Sequence, residues 1–213
     1  MTRRTPTLSR RQLLQSATTL LAGQGLTAGL VGAADTAPSV SFADIVRRRA
    51  MIRVYKDDPV ADKKIEHLLK YAVRAPSAGN LQPWEFVVVK NPEIRAQLAK
   101  AAMNQTSVTT APVIIVTCAD IQRAGSQYGA RGSFYSLVDT AFASLLILLG
   151  AVEQGLGACF VGSYNAEEVA KLLGLPMHVR PVGVITLGYP AESPRKPARA
   201  KLPLGKVVHR EKW

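Results

Sequence analysis

The segment from Phe134 to Glu153 constrains the fold more than any other part of this chain, because it is apolar around almost its whole circumference. A surface helix normally carries one apolar stripe, whereas a helix that is apolar on all sides is buried. Gly155 follows closely and is expected to end the helix. The segment is also more apolar than packing against one small core requires, so we expect a second surface to cover it.

The rest of the chain alternates between helical patterns and short β-branched runs. Strands are predicted for four runs, at residues 86–89, 113–117, 157–161 and 182–187. Helices are predicted for four further segments, from Ser41 to about Arg49, from Ile65 to Pro76, from Pro92 to Met103, and after Asn165. Residues 104–110 and 123–132 look least regular and are interpreted as loops that could cover a ligand. This order of elements predicts an α+β fold.

One short loop carries the most specific chemistry, and it reads Pro76-Ser-Ala-Gly-Asn-Leu-Gln-Pro-Trp84. Its hydrogen-bonding side chains are those of Ser77, Asn80 and Gln82. One hydroxyl and two amides offer both donors and acceptors. This set matches the pyrimidine-like edge of a flavin ring, whose carbonyls accept hydrogen bonds and whose ring N–H donates one.

Glycine, proline, asparagine and serine also build ordinary turns before strands, so the residue types alone are equally consistent with a turn. The amino-acid sequence of the whole run, however, resembles the signature of the nitroreductase superfamily of FMN-dependent oxidoreductases. The resemblance implies that the flavin is contacted by Pro76, Ser77, Asn80 and Gln82.

A second block precedes the loop and resembles the family's Arg-x-Ser-x-Arg/Lys run. Here it reads Arg49-Ala-Met-Ile-Arg53. The resemblance implies that Arg49 and Arg53 hold the flavin phosphate. Met51 stands at the serine position and brings no hydroxyl, so one expected contact is missing or is supplied from elsewhere.

Two later blocks complete the resemblance, which covers about residues 41 to 213. The run Gly155-Leu-Gly-Ala-Cys-Phe-Val-Gly-Ser-Tyr-Asn165 is similar to a family run whose backbone N–H groups approach the reactive ring nitrogen. That similarity implies this role for Gly162 and Ser163. A basic element near the C-terminus closes on the phosphate in the family, and Arg199 and Lys201 match it.

One departure limits what the resemblance implies about substrate. Many relatives carry Gln-Asn in the long apolar helix, where this chain has Leu145 and Leu146. A buried helix tolerates that change, so the fold expectation stands: a nitroreductase-like α/β/α sandwich with a mainly antiparallel central sheet flanked by helices. The resemblance further implies a homodimer with two FMN sites at the subunit interface, in which the arm after Pro203 wraps onto the other subunit.

For function, the resemblance implies an NAD(P)H-driven, ping-pong hydride transfer to an electron-poor acceptor such as a nitroaromatic or a quinone. The flavin carries that chemistry, so no catalytic side chain is assigned. Other flavin chemistry of the superfamily, such as azoline-type dehydrogenation or dehalogenation, is an alternative. A flavin-binding electron-relay protein without its own substrate is another.

The N-terminal segment is of a different kind. Paired arginines, Arg10 and Arg11, precede an uncharged stretch that ends in small residues. This layout is typical of a twin-arginine export signal, which serves proteins that fold and load a cofactor before export. We therefore interpret residues 1–37 as a signal peptide and 38–213 as an exported, periplasmic FMN-binding domain that meets the membrane only in transit. A disordered extension and an uncleaved anchor are the alternatives.

The charge balance is strongly basic, with 27 basic and 15 acidic residues and a formal net charge of +12. Removing the four arginines of the signal leaves +8 if Asp35 stays. Such a balance fits nucleic acid, a membrane surface or an anionic cofactor. Because the charges are scattered outside residues 195–201 and no nucleic-acid motif is present, we predict no nucleic-acid partner.

Two cysteines, Cys118 and Cys159, each lie in an apolar run predicted to be a strand. Buried thiols are expected there, although two cysteines in an exported protein could also pair. No group of His, Cys, Asp and Glu has the spacing of metal ligands. We therefore predict no metal site.

Overall fold

Four strands form one sheet in the order β1-β2-β4-β3, and all neighbours in it run antiparallel. The strands are β1 (Trp84–Val89), β2 (Val113–Asp120), β3 (Gly157–Val161) and β4 (Val179–Gly188). The helices are α1 (Phe42–Arg48), α2 (Asp62–Ala72), α3 (Pro92–Ala101), α4 (Thr106–Thr109), α5 (Ile121–Tyr128), α6 (Gly132–Glu153) and α7 (Ala166–Leu173).

This computed structural model describes residues 40–194 and 200–213. The signal peptide interpreted at residues 1–37 therefore lies outside the described residues. So does Arg199, one of the two basic residues assigned to the C-terminal phosphate element.

Strand β2 is buried at every position because helices cover both faces of the sheet. Its side chains alternate between two cores, as the pleat requires. Ile114, Val116 and Cys118 face a core completed by α3, α4 and α7. Val113 and Ile115 face a core completed by α2 and α6. The expected α+β sandwich with a mainly antiparallel sheet is therefore confirmed.

Helix α6 crosses the second face of the sheet and packs against α2. Ala143, Ile147 and Ala151 are fully buried on this side. The run Ile121–Glu153 has the length and hydropathy of a membrane span, but half of its most apolar window is buried inside the domain. The helix is therefore a core element, which agrees with its sequence pattern.

The helix ends follow the sequence signals. The side chain of Ser41 accepts the Asp44 N–H at the start of α1, and that of Asn165 accepts the first N–H groups of α7. Helix α6 ends at Glu153, and Gly155 then takes a positive φ of 70°. Glycine adopts this left-handed region without steric penalty, so the predicted stop is confirmed.

The interpretation of residues 104–110 and 123–132 as irregular loops was wrong. The first segment forms α4, and the second lies in α5, a 3₁₀ turn at Gly129–Arg131 and the start of α6. A Cβ at Gly132 would lie 2.4 Å from the backbone nitrogen of Gly125, so this glycine allows α5 and α6 to touch. The small size of this glycine therefore serves helix packing.

Replacing Gly132 by alanine should therefore destabilise the domain by about 1–3 kcal/mol, because two backbones would have to separate. Replacing Gly125 by alanine is the matched control, since a Cβ there meets nothing within 4 Å. This second change should be neutral or stabilise by up to about 1 kcal/mol, as alanine favours a helix. Urea unfolding followed by circular dichroism measures both. Equal midpoints for the two variants would contradict this packing role.

Candidate functional site

A cavity of about 940 Å³ lies between the end of α1, the C-terminal half of α6, the start of β3 and the segment after β4. Its charged lining residues in the described chain are Arg47, Arg48, Arg49, Arg53, Lys201 and Glu192. Arg47 pairs with Asp44 on its own helix. The remaining cations still exceed the single carboxylate, so the cavity attracts an anion.

Arg53 reaches this cavity because its backbone is held along the edge of the sheet. The Ile52 N–H donates to the Ala158 carbonyl of β3 at 3.1 Å, and the Ala191 N–H donates to the Val54 carbonyl at 3.0 Å. Between them, the Arg53 N–H donates to Oε1 of Glu192 at 2.7 Å. Ile52 is buried while Arg53 is exposed, so alternation along this extended segment directs the guanidinium outward.

Met51 occupies the position where the related motif has serine. Its Sδ accepts the Phe160 N–H at 3.5 Å, and its side chain packs against both cores. The thioether therefore serves the junction of this segment with β3. It brings no hydroxyl to the cavity that it also lines.

The loop at residues 76–84, here called the flavin-type loop, has a tightly bent backbone. Ser77 Oγ accepts the Gln82 N–H at 3.0 Å, and Gln82 Nε2 donates to Asn80 Oδ1 at 3.3 Å. Asn80 and Gln82 both have positive φ, at 56° and 51°. Residues other than glycine rarely take this conformation. Pro76, Asn80 and Gln82 are exposed, so the amides lie at the surface of the loop.

Helix α5 supports this loop from behind. Arg123 Nη1 donates to the Gln82 carbonyl at 2.7 Å. A Cβ at Gly79 would lie 2.8 Å from Gln127 Oε1 and from the Tyr128 hydroxyl, so the loop backbone lies directly on these side chains. None of these α5 residues was assigned from sequence, because nothing in the local pattern places them near the loop.

Gly162 and Ser163 lie in a second cleft of about 580 Å³, which Tyr164 and Asn165 also line. Both residues are exposed, and the Ser163 carbonyl accepts a hydrogen bond from Gln105 Nε2 at 2.7 Å. A Cβ at Gly162 would make only an ordinary contact with Phe160, at 3.7 Å. The backbone here is open to a ligand.

The structure thus brings together some of the predicted site residues and separates others. Arg49, Arg53 and Lys201 line one cavity. The loop with Ser77, Asn80 and Gln82 contacts α6 at Asp139, whereas the cavity contacts α6 at Leu148 and Val152. At 1.5 Å per residue these contacts lie about 14–20 Å apart along the helix. Within one chain, the loop does not line the cavity.

Sequence reasoning missed three charged residues of the cavity, Arg47, Arg48 and Glu192. Arg47 and Arg48 belong to the run of three arginines at residues 47–49, and that run was the available signal. Glu192 enters only because the segment after β4 pairs with residues 53–56, which no local pattern reveals.

The chemistry of these groups fits FMN. A phosphate dianion suits the cationic cavity, since arginine offers a forked donor pair and lysine a compact charge. The exposed amides of the loop suit the carbonyl and N–H edge of the ring. Within one chain, the cationic cavity and the loop with the amides contact α6 about 14–20 Å apart.

The cysteines contribute no reactive group. Cys118 and Cys159 are free and buried, which confirms the expectation of buried strand thiols. Burial raises the pKa of Cys118 to about 12 and raises that of Cys159 as well. Because the thiolate is the nucleophile, both thiols are inert near neutral pH.

Comparison with known proteins agrees with this picture. Residues 46–110 and 102–189 match the model of the nitroreductase family. An NADH dehydrogenase from Thermus thermophilus is 34% identical over 201 residues, which covers 81% of this chain and 97% of that protein. An oxygen-insensitive NADPH nitroreductase from Salmonella typhimurium is 32% identical over 170 residues, covering 76% of this chain and 70% of that protein.

Solved structures show the same fold. The structure of an NADPH:FMN oxidoreductase from Vibrio harveyi complexed with NAD⁺ matches with a TM-score of 0.73 and 27% identity, covering 81% of this chain and 77% of that one. The family match spans both halves of the sandwich, including the loop and the Gly162 cleft. On these grounds the chain belongs to the nitroreductase family.

Proposed function

We propose that the protein is an FMN-dependent NAD(P)H oxidoreductase that delivers reducing equivalents to an electron-poor acceptor such as a nitroaromatic or a quinone. The observation that carries the proposal is the cationic cavity, which occurs together with the amide-bearing loop in a chain of this family. Bound FMN supplies the hydride chemistry. The side chains described above bind and orient it.

The residues divide this work between them. Arg49, Arg53 and Lys201 hold the phosphate, and Arg48 adds positive charge at the rim. Asn80 and Gln82 present amides to the ring edge, on a backbone that is pre-bent before the cofactor arrives. A rigid loop loses little conformational entropy on binding, which favours affinity.

An aromatic cluster beside the loop supports a planar acceptor. Tyr128 lies against Gly79, and its ring meets that of Tyr135 edge-on at 4.9 Å between centroids. Phe134 meets Tyr135 at 5.8 Å and is 63% exposed, and Arg131 lies over the Tyr135 ring. Tyr128 and Tyr135 are half-buried, so the exposed Phe134 ring is the surface that a flat acceptor would contact.

The site is completed by a second copy of the chain. Helix α6 leaves Phe142 and Leu145 at least 44% exposed in the described chain. An isologous contact between two antiparallel α6 helices would cover them. The same contact brings the N-terminal half of one α6 to the C-terminal half of the other, and so brings the loop of one protomer to the cavity of its partner. A monomer in sedimentation at micromolar concentration would contradict this arrangement.

The phosphate role of Arg49 predicts a specific loss. A charge-assisted hydrogen bond contributes about 1.5–3 kcal/mol, so Arg49→Ala should weaken FMN binding by about tenfold or more. Arg180→Ala is the matched control, because Arg180 is an exposed arginine on β4 outside the cavity. Fluorescence titration of FMN into the apo-protein measures both dissociation constants. Equal losses in the two variants would assign the effect to net charge alone.

The reaction itself is tested anaerobically with the FMN-loaded protein. NADH or NADPH should bleach the flavin absorbance, and a nitroaromatic or a quinone should restore it. In an electron-relay protein without its own substrate, neither NADH nor NADPH would bleach the flavin absorbance, and another donor would be needed. Failure of NADH and NADPH alike would therefore contradict the oxidoreductase proposal.

Export through the twin-arginine route is a further part of the proposal, supported by the paired Arg10 and Arg11 and the uncharged stretch after them. Residues 1–37 fused to a reporter should carry it to the periplasm, and Arg10→Lys with Arg11→Lys should keep it in the cytoplasm. Unchanged export in that double variant would contradict export by the twin-arginine route.

A further inference from the structure

Asp139 is a buried carboxylate in the middle of an otherwise apolar helix. Its residue is 4% exposed, and its Oδ2 accepts the Ala78 N–H at 3.1 Å. In the described part of the chain no lysine or arginine forms an ion pair with it, and burial raises its pKa. A buried carboxylate with one backbone donor is costly to keep, so it is poorly explained by stability alone.

The backbone N–H that donates this hydrogen bond lies at the start of a sharply bent segment. Ala78 begins the 3₁₀ turn Ala78–Asn80, and the next residue, Gly79, has φ 56°. Asn80 and Gln82 follow with positive φ values. Disfavoured backbone angles persist only where the surroundings over-determine them.

Three contacts supply that constraint. Ser77 Oγ accepts the Gln82 N–H within the loop, and Arg123 on α5 holds the Gln82 carbonyl. The Arg123 side chain is 40% exposed, so its hydrogen bond to the Gln82 carbonyl is accessible to solvent. Asp139 differs because it is buried and belongs to α6, the most deeply packed helix of the second core.

We propose that Asp139 is a positioning residue for the cofactor site: it ties the start of the 77–82 loop to α6, and so keeps the amides of Asn80 and Gln82 in the conformation that meets the flavin. This inference rests on the proposed function, and it assigns a role to a residue that touches no ligand itself. Asp139 acts through the Ala78 N–H.

The test compares three variants of the purified full chain. Asp139→Ala removes the acceptor, and Asp139→Asn keeps an oxygen that can accept the same N–H. Ser144→Ala is the matched control, because Ser144 is a buried polar residue on the same helix that donates to Thr117 Oγ1 at 3.0 Å. Each variant is measured for FMN affinity, for unfolding by urea, and for amide hydrogen exchange of the apo-protein at residues 78–82.

Asp139→Ala should raise the FMN dissociation constant by about tenfold, since it removes a hydrogen bond to a charged group. It should also speed exchange at residues 78–82 in the absence of FMN. Asp139→Asn should recover most of both quantities. Ser144→Ala should lower stability while leaving loop exchange and FMN affinity unchanged.

A second route removes the donor and leaves the acceptor in place. Ala78→Pro deletes the N–H, and Ser77 already has φ −141° and ψ 149°, which suit a residue before proline. This variant should weaken FMN binding, and adding Asp139→Ala should weaken it no further. It also supplies the measurement if Asp139→Ala does not fold.

The outcomes separate the two proposals. Unchanged loop exchange and FMN affinity in Asp139→Ala, with stability lowered as in Ser144→Ala, would overturn the positioning role. Additive losses in the double variant would overturn it as well. If the wild-type chain binds no FMN, the proposed function fails, while faster exchange at residues 78–82 in Asp139→Ala still supports the tie between α6 and the loop.

Discussion

The burial of α6 determines where every part of the proposed site lies. One side of the helix packs against the sheet and α2, through residues such as Ile147 that are fully buried. Its N-terminal half carries the contact to the flavin-type loop, and its C-terminal half lines the cationic cavity. Because a helix is a rigid rod of fixed rise, these two parts are held about 14–20 Å apart. A ligand that needs both cannot find them in one chain. We propose that the exposed apolar side of the same helix forms the contact between two protomers that brings them together.

In the proposed site, charge and backbone geometry divide the recognition of the cofactor. The cavity offers cations at the end of α1 and on the extended segment that Glu192 helps to fix. The loop offers neutral amides on a bent backbone that α5 and α6 support. Long-range attraction and shape recognition thus come from different elements. The Asp139 tie links the second of these to the rigid core, which explains how a strained surface loop keeps one conformation.

Much of the fold could be predicted from local patterns. Helix α7 begins at its Asn165 cap, α6 stops before Gly155, and the β-branched runs became strands, because each signal acts within a few residues. The prediction of an irregular loop at residues 123–132 was wrong. Whether a glycine bends the chain or lets two helices touch depends on neighbours that no local pattern reveals. The sequence motifs also named the cavity residues Arg49, Arg53 and Lys201. Their separation from Asn80, and the role of Asp139 beneath the loop, depend on tertiary packing that no local pattern records.

We propose that the cofactor site combines the cavity of one protomer with the loop of its partner, and mixed dimers distinguish this arrangement from a site within one chain. Arg49→Ala impairs every cavity of its own homodimer, and Asn80→Ala impairs every loop. Co-expression of the two variants with different tags yields a mixed dimer in which one site joins an intact cavity to an intact loop. If the site is shared between protomers, this dimer binds one FMN with wild-type affinity, although neither parent homodimer does. Mixed dimers that bind FMN as weakly as both parents would contradict it, because each site would then be built within a single chain.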